Sequence, residues 1–163
     1  MSHVGKMAGP EIRDLDALKA AVARCGFVWL EDQKTFRWYG RFLGDSSDWV
    51  SMFTPEEAAK LKSGPRDRLI AAVTKKMGAC DHAIRVPGAN YEIGVVRVGS
   101  AWELRLDTFD GSLVSKLGGA AAPVLVQAYG VERVRQQARR LGHLVTEKKL
   151  PNGRVKLTIR QRG

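Results

Sequence analysis

Two alternating strands around a short turn are the feature that most constrains the fold of this chain. Residues 91–111, YEIGVVRVGSAWELRLDTFDG, alternate apolar and polar side chains on both sides of Gly99-Ser100. Glycine at the first central position of a two-residue loop suits a type II′ hairpin turn. Direct pairing across this turn gives one apolar face, whose members are Tyr91, Ile93, Val95, Trp102, Leu104 and Leu106. The pattern therefore predicts an antiparallel hairpin with one face in the core.

The other face of this predicted hairpin carries carboxylates. The same register sets Glu92 opposite Asp107, with Glu103 further along. Like charges directly across a ladder destabilise the pair unless another group neutralises them. We favour an ion-pair ladder in which Arg105 and Arg85 neutralise the carboxylates. The alternative is a divalent metal ion held by Glu92, Glu103 and Asp107, which would serve phosphodiester chemistry.

The rest of the chain mixes helical and strand patterns. A helix is expected after the N-cap Asp14, and two strands, FVWLE and TFRWYGRF, follow it around the turn DQK. Helical sequence also runs from about residue 113 to 141, with breaks near Pro123 and Gly130, before the strands HLVTEKKL and RVKLTIR. These patterns predict an α+β fold with a single antiparallel or mixed sheet of about seven strands and helices on one face.

The two ends of the chain follow a similar plan. A shift of 116 positions lays Arg24, Gly26 and Glu31 on identical residues near the C-terminus, and each helix is followed by two strands. This suggests a pseudo-repeat of a helix-hairpin unit, with chance similarity of architecture as the alternative.

Length and composition indicate one domain. A chain of 163 residues, 44% of them hydrophobic, can bury a single core, so residues 1–163 are predicted to form one domain. No apolar run approaches the length of a membrane span and no signal-peptide pattern is visible, so we expect a cytoplasmic protein without a membrane partner. Cys25 and Cys80 are expected to be free thiols.

A resemblance to a known family rests on residues 80–111 and on both ends of the chain. The segments Met1-Ser2-His3, Tyr39-Gly40, YEIGVVR and QAYGVERVRQQARRLG are similar to those of an uncharacterised family, the conserved reading frame of algal chloroplast genomes. Its members also occur in cyanobacteria, other bacteria and phages. The resemblance implies that residues 45–78 are a helical insertion, which we expect to pack on the edge of the sheet. It also suggests a ring-forming ATPase as a partner, because such an ATPase is often encoded beside the family.

The charge is concentrated near the C-terminus. The chain carries +10, and its last 33 residues hold ten basic and two acidic side chains, which leaves +8 there. Such clusters suggest nucleic acid as the partner, and a solvated surface is the alternative. The residues predicted to bind it are Arg133, Arg135, Arg139, Arg140, Lys148, Lys149, Arg154, Lys156 and Arg160. The aromatic side chains Phe36, Trp38 and Tyr39 are candidates for stacking on unpaired bases.

Recognisable catalytic patterns are missing from the sequence. His3, His82 and His143 are the three histidines; Cys80-x-His82 supplies two metal ligands without a second pair, and His143 is placed to touch a phosphate. No P-loop, dinucleotide or nucleophile motif occurs, so we expect neither catalytic residues nor a cofactor. The sequence predicts a non-catalytic protein that binds RNA or single strands through their backbone. The alternatives are an adaptor for an acidic protein or ring ATPase and, third, a metal-dependent nuclease.

Overall fold

The computed structural model describes residues 4–6, 11–42 and 47–162. Its five α-helices in this part of the chain are α1 (Leu15–Arg24), α2 (Pro55–Ser63), α3 (Arg66–Met77), α4 (Gly111–Leu117) and α5 (Pro123–Arg140), and a 3-10 helix covers Asp48–Met52. The described residues also form seven strands, which are β1 (Val4–Lys6), β2 (Val28–Leu30), β3 (His82–Arg85), β4 (Glu92–Val98), β5 (Ala101–Asp107), β6 (Leu144–Lys149) and β7 (Val155–Arg160).

Helix starts follow from local side-chain chemistry. Asp14 caps α1 by accepting the Ala17 amide at 3.0 Å. Thr54 and Glu57 form a capping box at the start of α2, with Pro55 in the first turn. A break before Pro123 is also confirmed, but the break expected near Gly130 is wrong, because α5 continues through that residue.

The central sheet has the order β1-β5-β4-β3-β2, and each neighbouring pair is antiparallel. The β4–β5 register is the predicted one, from Val98 opposite Ala101 to Gly94 opposite Arg105. Gly99 has φ +62°, whereas Ser100 is not among the residues of positive φ. This combination is that of a type II′ turn. The hairpin prediction is therefore confirmed over these five pairs.

The α+β class is confirmed, but the single seven-stranded sheet is wrong. β6 and β7 form a separate two-stranded sheet, which we call the terminal ribbon. The segment TFRWYGRF is not the expected strand, since only Thr35 forms an isolated bridge, to Ala79, and β2 pairs with β3 instead. The pseudo-repeat of a helix-hairpin unit at the two ends is consequently not reproduced, because α5 is followed by the hairpin of β6 and β7 whereas α1 is followed by β2 alone. β1, which pairs with the far edge of β5, is a strand that the sequence reading missed.

One face of the central sheet carries the larger hydrophobic core. Side chains of β3, β4 and β5 pack there against α1, α4 and α5; the fully buried members include Leu18, Ile84, Ile93, Leu106, Leu113 and Leu125. Helices α1 and α5 lie against each other. The Tyr129 hydroxyl of α5 accepts the amides of Arg13 and Asp14 at 3.0 and 3.2 Å, which fixes the start of α1 on α5.

The second face of the sheet is also covered, so the prediction of helices on one face is wrong. Phe36, Trp49, Val73 and Met77 form a second buried cluster that includes Ala83 of β3. The described part of residues 45–78 thus packs on a sheet face through α2, α3 and the 3-10 helix, and not on the edge. Residues 45 and 46 lie outside the described ranges.

Gly94 lets the segment before residue 42 approach the sheet. A Cβ at this position would lie 2.4 Å from the Phe36 ring, which no real Cβ contact allows. Because the ring is buried between strand and helix, we expect Gly94→Ala to lower the free energy of unfolding by about 1–2 kcal/mol through overpacking. Urea denaturation followed by circular dichroism measures this loss.

Gly130→Ala is the matched control for this substitution. Gly130 lies within α5 and a Cβ there would meet no atom within 4 Å. The alanine should stabilise the helix by roughly 0.5–1 kcal/mol. Equal stability of the Gly94→Ala variant and the parent would contradict the placement of Phe36 on β4.

Candidate nucleic-acid interface

The terminal ribbon separates its charges onto two faces. Directly paired residues point to the same side, and Lys148 pairs with Lys156, Thr146 with Thr158, and Leu144 with Arg160. This outer face contains no carboxylate, and its cationic side chains are exposed. The opposite face carries Val145, Val155 and Leu157, which are partly buried on the side of α5.

Glu147, the only acidic residue after Glu132, lies on the inner face of the ribbon. Its carboxylate binds the Arg135 guanidinium at 2.9 Å and also contacts Arg24 of α1. Arg24 reaches Glu132 at 3.3 Å as well. This network joins α1, α5 and β6, and it removes the negative charge from the outer face.

The nine predicted binding residues fall into two groups. Arg135 is held by Glu147, Arg140 lies 3.8 Å from Asp14, and Arg133 donates to the Tyr129 hydroxyl at 3.1 Å. The other six are exposed side chains of α5 and the ribbon: Arg139, Lys148, Lys149, Arg154, Lys156 and Arg160. Lys149 points to the inner side with Val155, so the outer row consists of Lys148, Arg154, Lys156 and Arg160.

The carboxylates of the central hairpin are neutralised differently from the prediction. Glu92 accepts the Arg37 amide at 2.9 Å and lies 3.4 Å from the Arg37 guanidinium. Asp107, which is fully buried, accepts the amides of Tyr39 at 3.1 Å and Phe109 at 3.0 Å. Backbone amides thus stabilise the two carboxylates, a role that was predicted for Arg85 and Arg105.

Arg85 and Arg105 are not ion-paired with Glu92 or Asp107. Arg85 lies opposite Glu92 in the β3–β4 register, and its side chain is exposed. Arg105 pairs with Glu103 at 3.5 Å, which confirms only that part of the ladder.

The three carboxylates proposed as metal ligands do not form a cluster. Within residues 11–42 and 47–162, the one group of three His, Cys, Asp or Glu side chains close enough to share an ion is Glu31, Asp32 and His82. The His82 Nδ1 in that group already accepts the Asp32 amide at 3.0 Å. The carboxylates of Glu92 and Asp107 are bound by backbone amides, as described above.

The histidines have distinct environments. His82 is a buried residue of β3 that lies between Trp29 and Trp102, with ring centroids 5.2 and 5.5 Å away. The Nδ1 of His143 is buried and has no hydrogen-bond partner among the described residues. His3 lies outside the described residues.

The proposed stacking aromatics are only partly accessible. Phe36 is buried, so it cannot stack on a base. Trp38 is half-buried. Tyr39 is 47% exposed and meets the edge of Phe109, itself 57% exposed, at 6.5 Å.

A cleft of about 870 Å³ lies between the second sheet face and the 3-10 helix. Three acidic and three basic side chains line it, which are Asp48, Asp81, Glu103, Lys76, Arg97 and Arg105. Cys80 is also in its wall; burial raises the pKa of this thiol to about 11, and its Sγ donates to the Gln33 carbonyl at 3.0 Å. A thiol of that pKa stays protonated near neutral pH and is a poor nucleophile.

A smaller pocket lies where α5 meets β6. It has a volume of about 330 Å³ and is lined by Arg135, Arg139, His143 and Arg162, among others. Arg162 is not among the nine residues predicted from the sequence to bind nucleic acid. The signal for it was present, because Arg162 continues the alternate basic positions of Lys156 and Arg160.

None of the helices in the described ranges has the length and apolar character needed to span a bilayer.

Comparison with family models, with curated proteins and with solved structures gives no match to this chain, so the resemblance to the chloroplast reading-frame family stays a prediction.

Proposed function

We propose that this protein is a non-catalytic nucleic-acid-binding protein that contacts the backbone of RNA or of single strands through the outer face of the terminal ribbon. The observation that carries the proposal is the direct pairing of Lys148 with Lys156 on a face free of carboxylates. Two like charges across a ladder repel each other. A bound polyanion relieves the repulsion between the two lysines, and this relief contributes to the free energy of binding.

The spacing of the cations supports recognition of a backbone. Arg154, Lys156 and Arg160 lie on one side of the β7 segment. Lys156 and Arg160, with Thr158 between them, are about 13 Å apart, whereas Arg154 and Lys156 are about 6.6 Å apart, the two-residue repeat of a strand. This spacing is comparable with that of phosphates along an extended strand. Phosphate contacts position a protein without reading bases, so the affinity should depend little on sequence.

The direct test is a binding titration of the purified protein against labelled mixed-sequence RNA, single-stranded DNA and duplex DNA. We expect binding to the first two at low salt. The logarithm of the association constant should fall by roughly 0.7 per logarithmic unit of salt for each phosphate neutralised on a single strand. Fluorescence anisotropy at several salt concentrations measures this slope. An absence of binding to every nucleic acid at low salt would contradict the proposal.

An adaptor for an acidic protein is the second candidate. It is favoured by apolar side chains beside the cations, since Leu144 and Ile159 are each 48% exposed and Leu141 is 64% exposed. Protein interfaces combine such apolar residues with arginine. Binding to nucleic acid with the expected salt slope favours the first candidate, whereas its absence leaves the adaptor as the better explanation. For the metal-dependent nuclease, the described residues offer no comparable support.

A further inference from the structure

We propose that the pocket between α5 and β6 binds a terminal phosphate monoester, the charged end of a strand whose backbone lies on the terminal ribbon. This inference rests on the proposed function for the source of the phosphate. The pocket itself is defined independently by Arg135, Arg139, His143 and Arg162.

The lining of the pocket is suited to an anion. Three guanidinium groups and one imidazole border it, and no carboxylate is among the lining residues. Guanidinium groups bind phosphate oxygens through paired, charge-assisted hydrogen bonds. A volume of about 330 Å³ is at the small end for ligand pockets and suits an end group better than a whole nucleotide chain.

His143 supplies an observation that is independent of charge. Its Nδ1 is buried in the wall and lacks a hydrogen-bond partner among the described residues. An unpaired buried polar atom destabilises a protein by the lost hydration of that atom. Because this atom is closed to solvent in the structure, the ring must turn about its Cβ–Cγ bond to donate to a phosphate oxygen in the pocket, and binding would then give the unpaired nitrogen a partner.

Hydrogen bonds at the end of α5 weaken the repulsion between its carbonyl groups and such an anion. The amides of Leu141, Gly142 and His143 donate to carbonyl oxygens of the last helical turns at 3.2, 3.0 and 2.9 Å. Gly142, with φ +72°, makes the reversal that places His143 back against the helix. The partial negative charge of this helix end is therefore largely satisfied within the chain.

The guanidinium groups differ in their availability. Glu147 holds Arg135 at 2.9 Å and so orients it in the wall. Arg139 is an exposed side chain of α5 and Arg162 an exposed one after β7. A phosphate monoester carries a charge of about −1.5 to −2 near pH 7, more than an internal phosphodiester, so it gains more from this cluster.

The position of the pocket relative to the ribbon links the two sites. His143 immediately precedes β6, and Arg162 lies two residues after the end of β7. The pair Leu144–Arg160 closes the ribbon at this end. A strand with its terminal phosphate in the pocket would therefore continue past Arg160 towards Lys148 and Lys156.

The experiment compares one single-stranded RNA with a 5′-phosphate, with a 3′-phosphate and with hydroxyl groups at both ends. We expect one phosphorylated form to bind about tenfold more tightly than the hydroxyl form, the ratio that one additional charge-assisted hydrogen bond provides. The two phosphorylated arms distinguish the ends. Equal affinities for all three forms would overturn the assignment of the pocket to the end of a strand and leave the proposed function intact.

Arg139→Gln and His143→Asn test the residues. Each should remove most of the preference for the phosphorylated form, measured as the ratio of its affinity to that of the hydroxyl form. Arg66→Gln, a substitution on α3 at the opposite sheet face, is the control and should retain the preference. Retention of the preference by both pocket variants would overturn the assignment.

A second readout does not require nucleic acid. Inorganic phosphate is titrated into the protein while the His143 ring signals are followed by nuclear magnetic resonance. A saturable shift that is lost in Arg139→Gln supports the pocket even if no RNA binds, in which case only the proposed function fails. No shift, together with equal RNA affinities, overturns the pocket.

Discussion

The Lys148→Glu, Lys156→Glu double variant should bind mixed-sequence RNA at least tenfold more weakly than the parent at low salt. The two side chains form the centre of the cationic outer face, where they are directly paired. Their reversal removes two phosphate contacts and adds two repulsive charges, so the salt slope should fall by about 1.4. Anisotropy titrations at several salt concentrations measure both quantities, and all RNA sequences should be affected alike.

The fold should survive this reversal. A lysine pair is replaced by a glutamate pair, so one like-charge repulsion is exchanged for another. The matched control is Lys62→Glu with Lys75→Glu, which changes the net charge equally on exposed side chains of α2 and α3. If the control weakens RNA binding as much as the ribbon variant, overall charge and not the ribbon is responsible.

The single substitution Lys156→Glu separates stability from binding. It creates an opposite-charge pair with Lys148 across the ladder, which should stabilise the ribbon by roughly 0.2–1 kcal/mol. The same change should weaken RNA binding. A variant that is more stable and yet binds less tightly shows that the lysine pair serves a ligand.

Asp107→Ala should lower the free energy of unfolding by about 3 kcal/mol. The carboxylate is fully buried and accepts the amides of Tyr39 and Phe109. Alanine removes the acceptor from both amides, which are partly buried, and each donor left unsatisfied costs roughly 1–3 kcal/mol. Chemical denaturation measures the loss. The segment around Tyr39 should also become more accessible to hydrogen exchange, because Asp107 is one of its attachments to the sheet.

Asp107→Asn gives an intermediate test. Its amide keeps one oxygen acceptor but presents an NH₂ group where the second backbone amide needs an acceptor. We therefore expect a smaller loss, of about 1–2 kcal/mol. Glu56→Ala, on the exposed side of α2, is the control and should change stability by less than about 0.5 kcal/mol. An Asp107→Ala variant as stable as this control would show that the carboxylate does not hold the loop.

The central hairpin was predictable because its determinants are local. Alternation assigns each side chain to a face, and Gly99 permits the tight turn that sets the register. The cap at Asp14 and the capping box at Thr54 are equally local. The division of strands between two sheets was not predictable in the same way. An alternating pattern predicts that a segment forms a strand, but it does not say which other strand pairs with it.

The carboxylates show where local reasoning ends. Glu92 and Asp107 face away from the larger core, and their alternation with apolar residues predicts that they lie on a solvent-exposed face. In the structure, the segment carrying Phe36 and Arg37 covers this face, and its amides bind the two carboxylates. Residues far apart in sequence, with no shared periodicity, make these contacts. Arg105 is close to Asp107 in sequence and carries the charge needed to neutralise a carboxylate, yet it pairs with Glu103.

For the candidate site, the sequence by itself determined the cluster of positive charge, the alternation along β7 and the class of the fold, because composition and periodicity are properties of short segments. Only the tertiary structure decided that Glu147 turns inward to Arg135, that Lys148 faces Lys156, and that Arg139, His143 and Arg162 share a pocket. These relations depend on the pairing of β6 with β7 and on the packing of the ribbon against α5. Such packing reflects the burial of whole surfaces, so no single segment encodes it.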